Sequence, residues 1–369
     1  MVIIRTVKTL QYLLPVNRTL IVKGPGTIRL IEGHASILGA PLESSAATVV
    51  QRAKQLPVES IDDVEIEISL GASGAITEVE GSSLPASWEN ALNSLEAMGK
   101  ANVIIIGPSD VGKSSLCTYL MNELIKKRRR VKVLDADIGQ ADIGPPTTIT
   151  SVIPAAPTPT LSRLEPDRIF FVGHNTPSFV QSQVLNGIRR LTKPESSGVT
   201  IINTDGWVRG SAAIPYKKRL ISTVKPDLLI GIGPRNSLKP ILEGAKAPQI
   251  LVEPSRAILP RTRDERRQIR KSGYQRFLAN GTLHTFKSHS SGVRVREGIK
   301  HAFSQGNPDL IGVVVGLLNE AGFVDQLGIL ENIHSDYLTV FSRAIHQPVR
   351  IEFGYVRISR DGSELGFLR

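Results

Sequence analysis

Cysteine is almost missing: Cys117 is the single one in 369 residues. An intrachain disulfide framework is therefore excluded, and the chain fits a reducing compartment. Cys117 falls in an apolar helical stretch, where a thiol packs as a small hydrophobe. Aromatic residues make up only 5% of the chain, so the two tryptophans, Trp88 and Trp207, stand out as positions to explain. Long apolar runs are also missing. The longest uncharged one is 310–318, far short of the roughly 20 residues that a membrane helix needs. The first 22 residues are broken by Arg5, Lys8, Asn17 and Arg18 and show no small-residue cleavage site, so no targeting segment is expected. No membrane association is expected, and the simplest location is the cytoplasm. Metal-ligand spacing is missing from the seven histidines; the closest pair, His284 and His289, reads as surface or structural.

What is present is a globular, basic chain. Hydrophobic residues are 41% and charged residues 21%, the balance of a folded protein rather than a disordered one. The net charge of +11 favours a polyanionic partner, nucleic acid slightly ahead of a membrane surface. The texture changes twice along the chain. Residues 1 to about 80 show period-two alternation, as in Gly26-Thr-Ile-Arg-Leu-Ile-Glu and Val64-Glu-Ile-Glu-Ile, which predicts a small β domain that spans 1–97 with its connecting helix. A connecting helix follows at 83–98, with Trp88, Ala91, Leu92 and Leu95 on one face. Residues 98–304 alternate short apolar runs (103–106, 131–134, 169–172, 199–202, 228–232, 250–252) with helical stretches such as 114–127 and 179–191. That rhythm predicts an α/β domain with a parallel sheet covered on both faces. The Pro-rich stretch 150–160 reads as a loop. Residues 305–369 return to β texture, with strands expected at 311–318, 337–341 and 350–358. The fold class is thus α/β, a central parallel-sheet domain flanked by small N-terminal and C-terminal β domains.

The strongest motif is Gly107-Pro108-Ser109-Asp110-Val111-Gly112-Lys113-Ser114-Ser115. It matches the phosphate-binding loop G-x-x-x-x-G-K-[ST], with a strand pattern before it and a helix after it. Glycines let backbone N–H groups turn inward around phosphates, and the helix N-terminus adds its positive dipole end. Lys113 is expected to reach the β- and γ-phosphates of ATP, and the Ser114 hydroxyl to ligate Mg²⁺. The next strand ends in Asp135-Ala-Asp137-Ile-Gly139-Gln140, at the carboxyl edge where open α/β sheets bind ligands. One carboxylate there can serve the metal's water shell, and the other can accept a proton from an attacking hydroxyl. Asp135 is the candidate for the metal. A solvated strand-ending turn is the alternative. The N-K-x-D element of signalling GTPases is missing; Thr192-Lys-Pro-Glu195 is the nearest approach.

Two further features point to nucleic acid. Trp207 lies between Gly206 and Gly210, just beyond the strand pattern 199–202. A tryptophan on such a loop offers a base a stacking platform, the alternative being a core anchor. Arg263, Arg266, Arg267 and Arg270 recur at i, i+3, i+4 and i+7, with Arg261 just before them, so they form one helical stripe. Guanidiniums so arranged donate forked hydrogen bonds to phosphates. The expectation gives Arg266 and Arg270 to the charge developing on the γ-phosphate and Arg261, Arg263 and Arg267 to the nucleic-acid backbone, a division that spacing alone leaves open. A solvated basic helix is the alternative. The run 126–130 reads as a solvated helix end, and His174, in Gly173-His-Asn-Thr-Pro177, as an acceptor contact.

Four landmarks in order (107–115, 135–140, Asn203-Thr-Asp-Gly-Trp-Val-Arg-Gly210 and the Arg-rich segment from Arg261) resemble the polynucleotide 5′-hydroxyl kinases of RNA 3′-end formation, tRNA splicing and pre-ribosomal RNA processing, above all their compact archaeal members. The resemblance covers nearly the whole chain. It implies transfer of the γ-phosphate of ATP, with Mg²⁺, to the 5′-hydroxyl of RNA and possibly DNA. It implies Asp137 as general base, Gln140 near the reacting phosphate, Trp207 as a clasp on the terminal nucleotide, and the arginines as a lid. It also implies an N-terminal domain that helps hold adenine, and protein partners in RNA processing. Asp205 departs from the small or neutral residue expected before Gly206-Trp207; an extra carboxylate facing RNA would repel phosphate modestly. An ATP-holding scaffold without turnover and an NTPase that uses water are the alternatives.

Overall fold

The computed structural model describes residues 8–192, 198–258, 260–287, 292–294, 308–334, 337–343 and 346–368. His289, residues 193–195 of the N-K-x-D comparison and the expected boundary at 304/305 lie outside them. In chain order the helices are α1 (Ala86–Glu96), α2 (Lys113–Lys126), α3 (Gln181–Leu191), α4 (Ala213–Val224), α5 (Arg235–Leu242) and α6 (Arg263–Leu278). None of them is long and apolar enough to cross a membrane. The chain divides into two compact units, Met1–Val133 with Ile153–Leu164 and Glu195–Gln268, and Leu134–Val152 with Glu165–Pro194 and Ile269–Arg369. Two of the boundaries fall inside elements, one in the strand Val131–Ala136 and one in α6.

The first unit begins with two antiparallel sheets. Lys8–Leu14, Val64–Leu70, Gly26–Glu32 and Thr48–Val50 pair in that order. Arg18–Lys23 lies between Gln55–Ser60 and Ala75–Glu80 in the other. In Val64–Leu70 every second residue is buried, the alternation that the sequence predicts. The unit's parallel sheet has the order Gly198–Thr204, Lys100–Ile106, Leu228–Ile232, Gln249–Val252. Its central strands are buried on both faces, as their unbroken apolar runs require. The α1 helix buries the predicted face of Trp88, Ala91, Leu92 and Leu95, and the Trp88 indole donates to the Glu253 carbonyl at 2.8 Å. The buried Asn122 amide on α2 bonds the carbonyls of Leu38 and Thr158, at 2.8 and 2.9 Å, and so fastens the N-terminal β region to α2.

Two sequence expectations change here. The basic run after α2 is not simply solvated: Arg129 donates to the carbonyls of Glu96 and Gly99, closing the end of α1, and Lys127 pairs with Glu96. Part of the stretch read as a loop is a strand, Thr148–Val152, in the second unit. The strand Arg168–Phe171 runs antiparallel to it rather than continuing the parallel pattern. The reason is the connection: antiparallel neighbours need no crossover helix, and the intervening stretch is Pro-rich. The rest of the second unit is a mostly antiparallel sheet in the order Thr282–Lys287, Tyr337–Ser342, Val324–Ile333, Val313–Leu318, Arg350–Ile358, with Glu364–Phe367 also pairing with Arg350–Ile358. Val314, Leu327, Ile329 and Val356 from this sheet share one core with Phe171 and with Tyr274 and Leu278 of α6.

Candidate active site

In the first unit the strand Lys100–Ile106 leads into the phosphate-binding loop, and α2 starts at Lys113. Gly107 is required by close approach: a Cβ there would lie 2.3 Å from the Ile232 carbonyl oxygen. Gly112 has φ +96° and ends the loop in a conformation that L side chains disfavour. No side chain caps α2, and a helix N-terminus that follows a glycine-closed loop is a geometry that suits an anion. This is the observation on which a triphosphate fits. Lys113 is buried and donates to the Pro108 carbonyl at 2.7 Å. The Ser114 hydroxyl is held by the Asn203 amide at 3.2 Å. Asn203 lies inside a predicted landmark, yet nothing in its local pattern marks it as a partner of Ser114.

Asp110, in the left-handed region at φ 57°, holds the Arg-rich segment to the loop. Its carboxylate accepts from Arg266 Nη2 at 2.6 Å and from the Arg261 amide at 3.2 Å. Arg261 Nη1 is 3.6 Å away. Arg263 and Arg267 are exposed, Arg267 with a loose 3.8 Å pair to Asp264. Ser115 lines a small cavity with Leu38, Gln55, Ser255, Ile258 and Arg261, among others. Leu38 and Ala53, both on that cavity, have left-handed φ values of 49° and 61° without being glycine. Strain of this kind concentrates at ligand-binding positions. The sequence could not place any contact from the N-terminal region, because these residues carry no motif.

Trp207 sits against the same loop through its neighbour. A Cβ on Gly206 would lie 2.3 Å from Ser109 Oγ and 2.5 Å from Ser109 N. The indole is half-buried and stacks on Tyr216, with centroids 5.4 Å apart and planes at 29°. Asp205 corrects the sequence expectation. It is buried and faces the protein, not solvent. Its Oδ1 accepts the Trp207 amide at 3.0 Å, and its Oδ2 accepts the Tyr216 hydroxyl at 2.8 Å. Lys217, with a side chain 0% exposed, places Nζ 3.0 Å from the same Oδ2 and 2.8 Å from the Asp205 carbonyl. The carboxylate is therefore a latch that fixes the Trp207 backbone to the ring on which Trp207 stacks.

In the second unit Asp135 and Asp137 take different environments. Asp135 is buried, and its Oδ2 accepts the amides of Asp142 and Ile143 at 2.7 and 3.1 Å. Burial above all, then the nearby carboxylates of Asp142 and Asp137, push its pKa up to about 7. A cation would relieve exactly this cost of charge, so the residue suits a metal's water shell. Asp137 is half-buried, and its Oδ1 accepts the amides of Gly139 and Gln140 at 3.2 and 3.0 Å. Those bonds fix the orientation of its carboxylate. Gln140 donates to the Gly139 carbonyl at 2.7 Å, while its buried Oε1 meets no hydrogen-bond donor among the described residues. Arg270 makes a forked pair with Glu364, at 2.7 and 2.8 Å. The predicted residues thus divide: the loop, Trp207, Arg261, Arg263, Arg266 and Arg267 belong to the first unit, and Asp135, Asp137, Gln140 and Arg270 to the second.

A family model described as mRNA cleavage and polyadenylation factor CLP1 P-loop matches residues 107–280. A polyribonucleotide 5′-hydroxyl-kinase of Pyrococcus furiosus is 30% identical over 322 residues, covering 73% of this chain and 90% of that protein. One of Methanocaldococcus jannaschii is 26% identical, covering 72% and 89%. A CLP1 homolog of Anopheles gambiae is 27% identical, covering 56% of this chain and 52% of that protein. Among solved structures, wild-type Clp1p in complex with Pcf11p superposes with a TM-score of 0.75 over 96% of this chain and 99% of that one, at 12% identity, a likeness of fold. The chain belongs to the family of P-loop proteins that includes CLP1 and the archaeal polyribonucleotide 5′-hydroxyl-kinases.

Proposed function

We propose that this chain is an ATP-dependent polyribonucleotide 5′-hydroxyl kinase of the cytoplasm that uses Mg²⁺. The observation that carries the reading is a loop that only glycine can close at Gly107 and Gly112, with Lys113 and Ser114 in the first turn of α2. Relatives that bear the kinase name, matched over 90% and 89% of their own length, support it. ATP supplies the phosphoryl group, and Mg²⁺ draws charge from its terminal phosphates. The amides of 107–115 and Lys113 hold the triphosphate. Ser114, oriented by Asn203, and Asp135 hold the metal and its waters. The cavity beside Ser115 takes the nucleobase, so residues 1–97 serve the donor, 98–304 the transfer, and 305–369 brace the hairpin that follows the acceptor turn. Asp137 accepts the proton of the 5′-hydroxyl as it attacks in line, its carboxylate pre-oriented by the amides of Gly139 and Gln140. Gln140 lies beside it, near the reacting phosphate. Trp207 stacks the terminal nucleotide, and the arginines balance spreading charge, Arg266 and Arg270 at the phosphate and Arg261, Arg263 and Arg267 along the strand. The partners are the RNA and, in turn, proteins of RNA processing.

The test incubates the protein with γ-labelled ATP, Mg²⁺ and a 5′-hydroxyl oligoribonucleotide, with Lys113→Ala and Asp137→Ala as controls. Label on the oligonucleotide, reduced about 100-fold or more in both variants, is the expected result. Free phosphate alone identifies an NTPase, and tight ATP binding with neither product identifies a scaffold.

A further inference from the structure

The strand pattern ending at Arg168–Phe171 is followed by Gly173-His-Asn-Thr-Pro177, and the last strand, Glu364–Phe367, comes from the far end of the chain. The fold joins them in a stack of three flat rings within the second unit. His174 lies between Phe179, with centroids 4.9 Å apart and planes at 25°, and Phe367, with centroids 5.0 Å apart and planes at 10°. The middle ring is buried at 7% exposure, whereas Phe179 is 76% exposed and Phe367 49%. Leu365, two residues before Phe367, is also exposed. In a chain so poor in aromatics, two phenylalanines stacked on a common ring and left open to water mark a binding surface rather than a core.

The stack is held rigidly. His174 Nδ1 accepts the Thr176 amide at 2.9 Å, which fixes the ring. Asn175 donates to Glu364 at 2.7 Å, and Glu364 is gripped in turn by Arg270. These bonds tie the segment that bears His174 to the strand that bears Phe367. The stack is also next to the acceptor turn. A Cβ on Gly139 would lie 2.7 Å from the Asn175 carbonyl oxygen, so the turn bearing Asp137 packs directly on the residue after His174.

We propose that Phe179, His174 and Phe367 form a stacking platform for nucleobases of the acceptor strand downstream of its 5′-terminal nucleotide. Every base has a flat π-face, so such a platform binds single strands without reading their sequence. The net charge of +11 favours the same polyanionic occupant. The platform is separate from Trp207, which belongs to the other unit. The proposal rests on the kinase reading for the direction of the strand, not for the binding itself.

The test uses the full chain and two readouts. The first is kcat/KM for a 5′-hydroxyl dinucleotide and for a ten-nucleotide strand. The wild type is expected to prefer the longer strand, and Phe179→Ala/Phe367→Ala to lose about tenfold of that preference, while Phe179→Trp retains it. The second is the fluorescence of a strand with 2-aminopurine at its third position, which stacking quenches. Quenching is expected with the wild type and with Asp137→Ala, but not with the double alanine variant. If the variant keeps both the preference and the quenching, the platform is overturned and the rings serve another partner, such as a protein. If the wild type quenches the probe but transfers no phosphate, the platform stands and the kinase reading fails.

Discussion

Lys217→Met is the sharpest perturbation of the latch behind Trp207. It removes a wholly buried ammonium 3.0 Å from Asp205 Oδ2 and leaves a side chain of similar reach. Breaking one half of a buried pair costs about 3–5 kcal/mol, because the remaining charge stays desolvated. Asp205 keeps two donors, the Tyr216 hydroxyl and the Trp207 amide, so the lower end, about 3 kcal/mol, is expected. At about 2–4 °C per kcal/mol for a unit of this size, the melting transition of the first unit falls by about 6–12 °C. Calorimetry reads that shift. In a Trp88→Phe background the emission of Trp207, then the only indole, should move to the red as its stack loosens. Adding Asp205→Asn removes the stranded charge, so the double variant should be at least 1 kcal/mol more stable than the sum of the two single effects. A melt within about 1 °C of the wild type, or strictly additive losses, would refute the latch. The kinase readout is a raised KM for the oligonucleotide with KM for ATP unchanged.

Gly206→Ala forces a Cβ to within 2.5 Å of the Ser109 backbone nitrogen, so either the phosphate loop or Trp207 must shift. A loss of at least about tenfold in kcat/KM is expected in a protein that still folds, since misplacement of about 1 Å is costly in transfer reactions; steady-state kinetics and a melt check it together. Asp135 predicts a pH effect in protein free of nucleotide and metal. Its pKa rises from about 4 in the unfolded chain to about 7 when folded. Between those values the native state binds more protons, so stability falls as pH rises through the window and levels off above it. Asp135→Asn should flatten that slope in denaturation measured from pH 4 to 8, and an unchanged slope would remove Asp135 as its source. Mg²⁺ with ATP should raise the melting temperature of the wild type more than that of Ser114→Ala, read by the same melts.

The local code carried much of this protein. The loop 107–115 is legible because glycine, lysine and serine must sit at fixed offsets to wrap phosphates, and the unbroken apolar runs at 103–106 and 228–232 declare strands covered on both faces. The turn at Asp135–Gln140 and the helical arginine run stand out in the sequence for the same reason: the pattern that marks each is contained within about ten residues. The stripe nevertheless divides its labour by long-range partners, Arg266 with Asp110 and Arg270 with Glu364. Asp205 looked like a misplaced surface charge because its neighbours in sequence are polar and glycine; burial against Tyr216 and Lys217 made it a latch. The antiparallel pairing of Thr148–Val152 with Arg168–Phe171 was hidden by the prolines between them. The cavity beside Ser115 draws Leu38, Ala53 and Gln55 from a region without a motif. His174 and Phe367 lie 193 positions apart, and no periodicity can couple residues at that distance. Chemistry that a short segment performs by itself is written in residue order, whereas burial, charge pairing and ring stacking arise only when packing brings distant segments together.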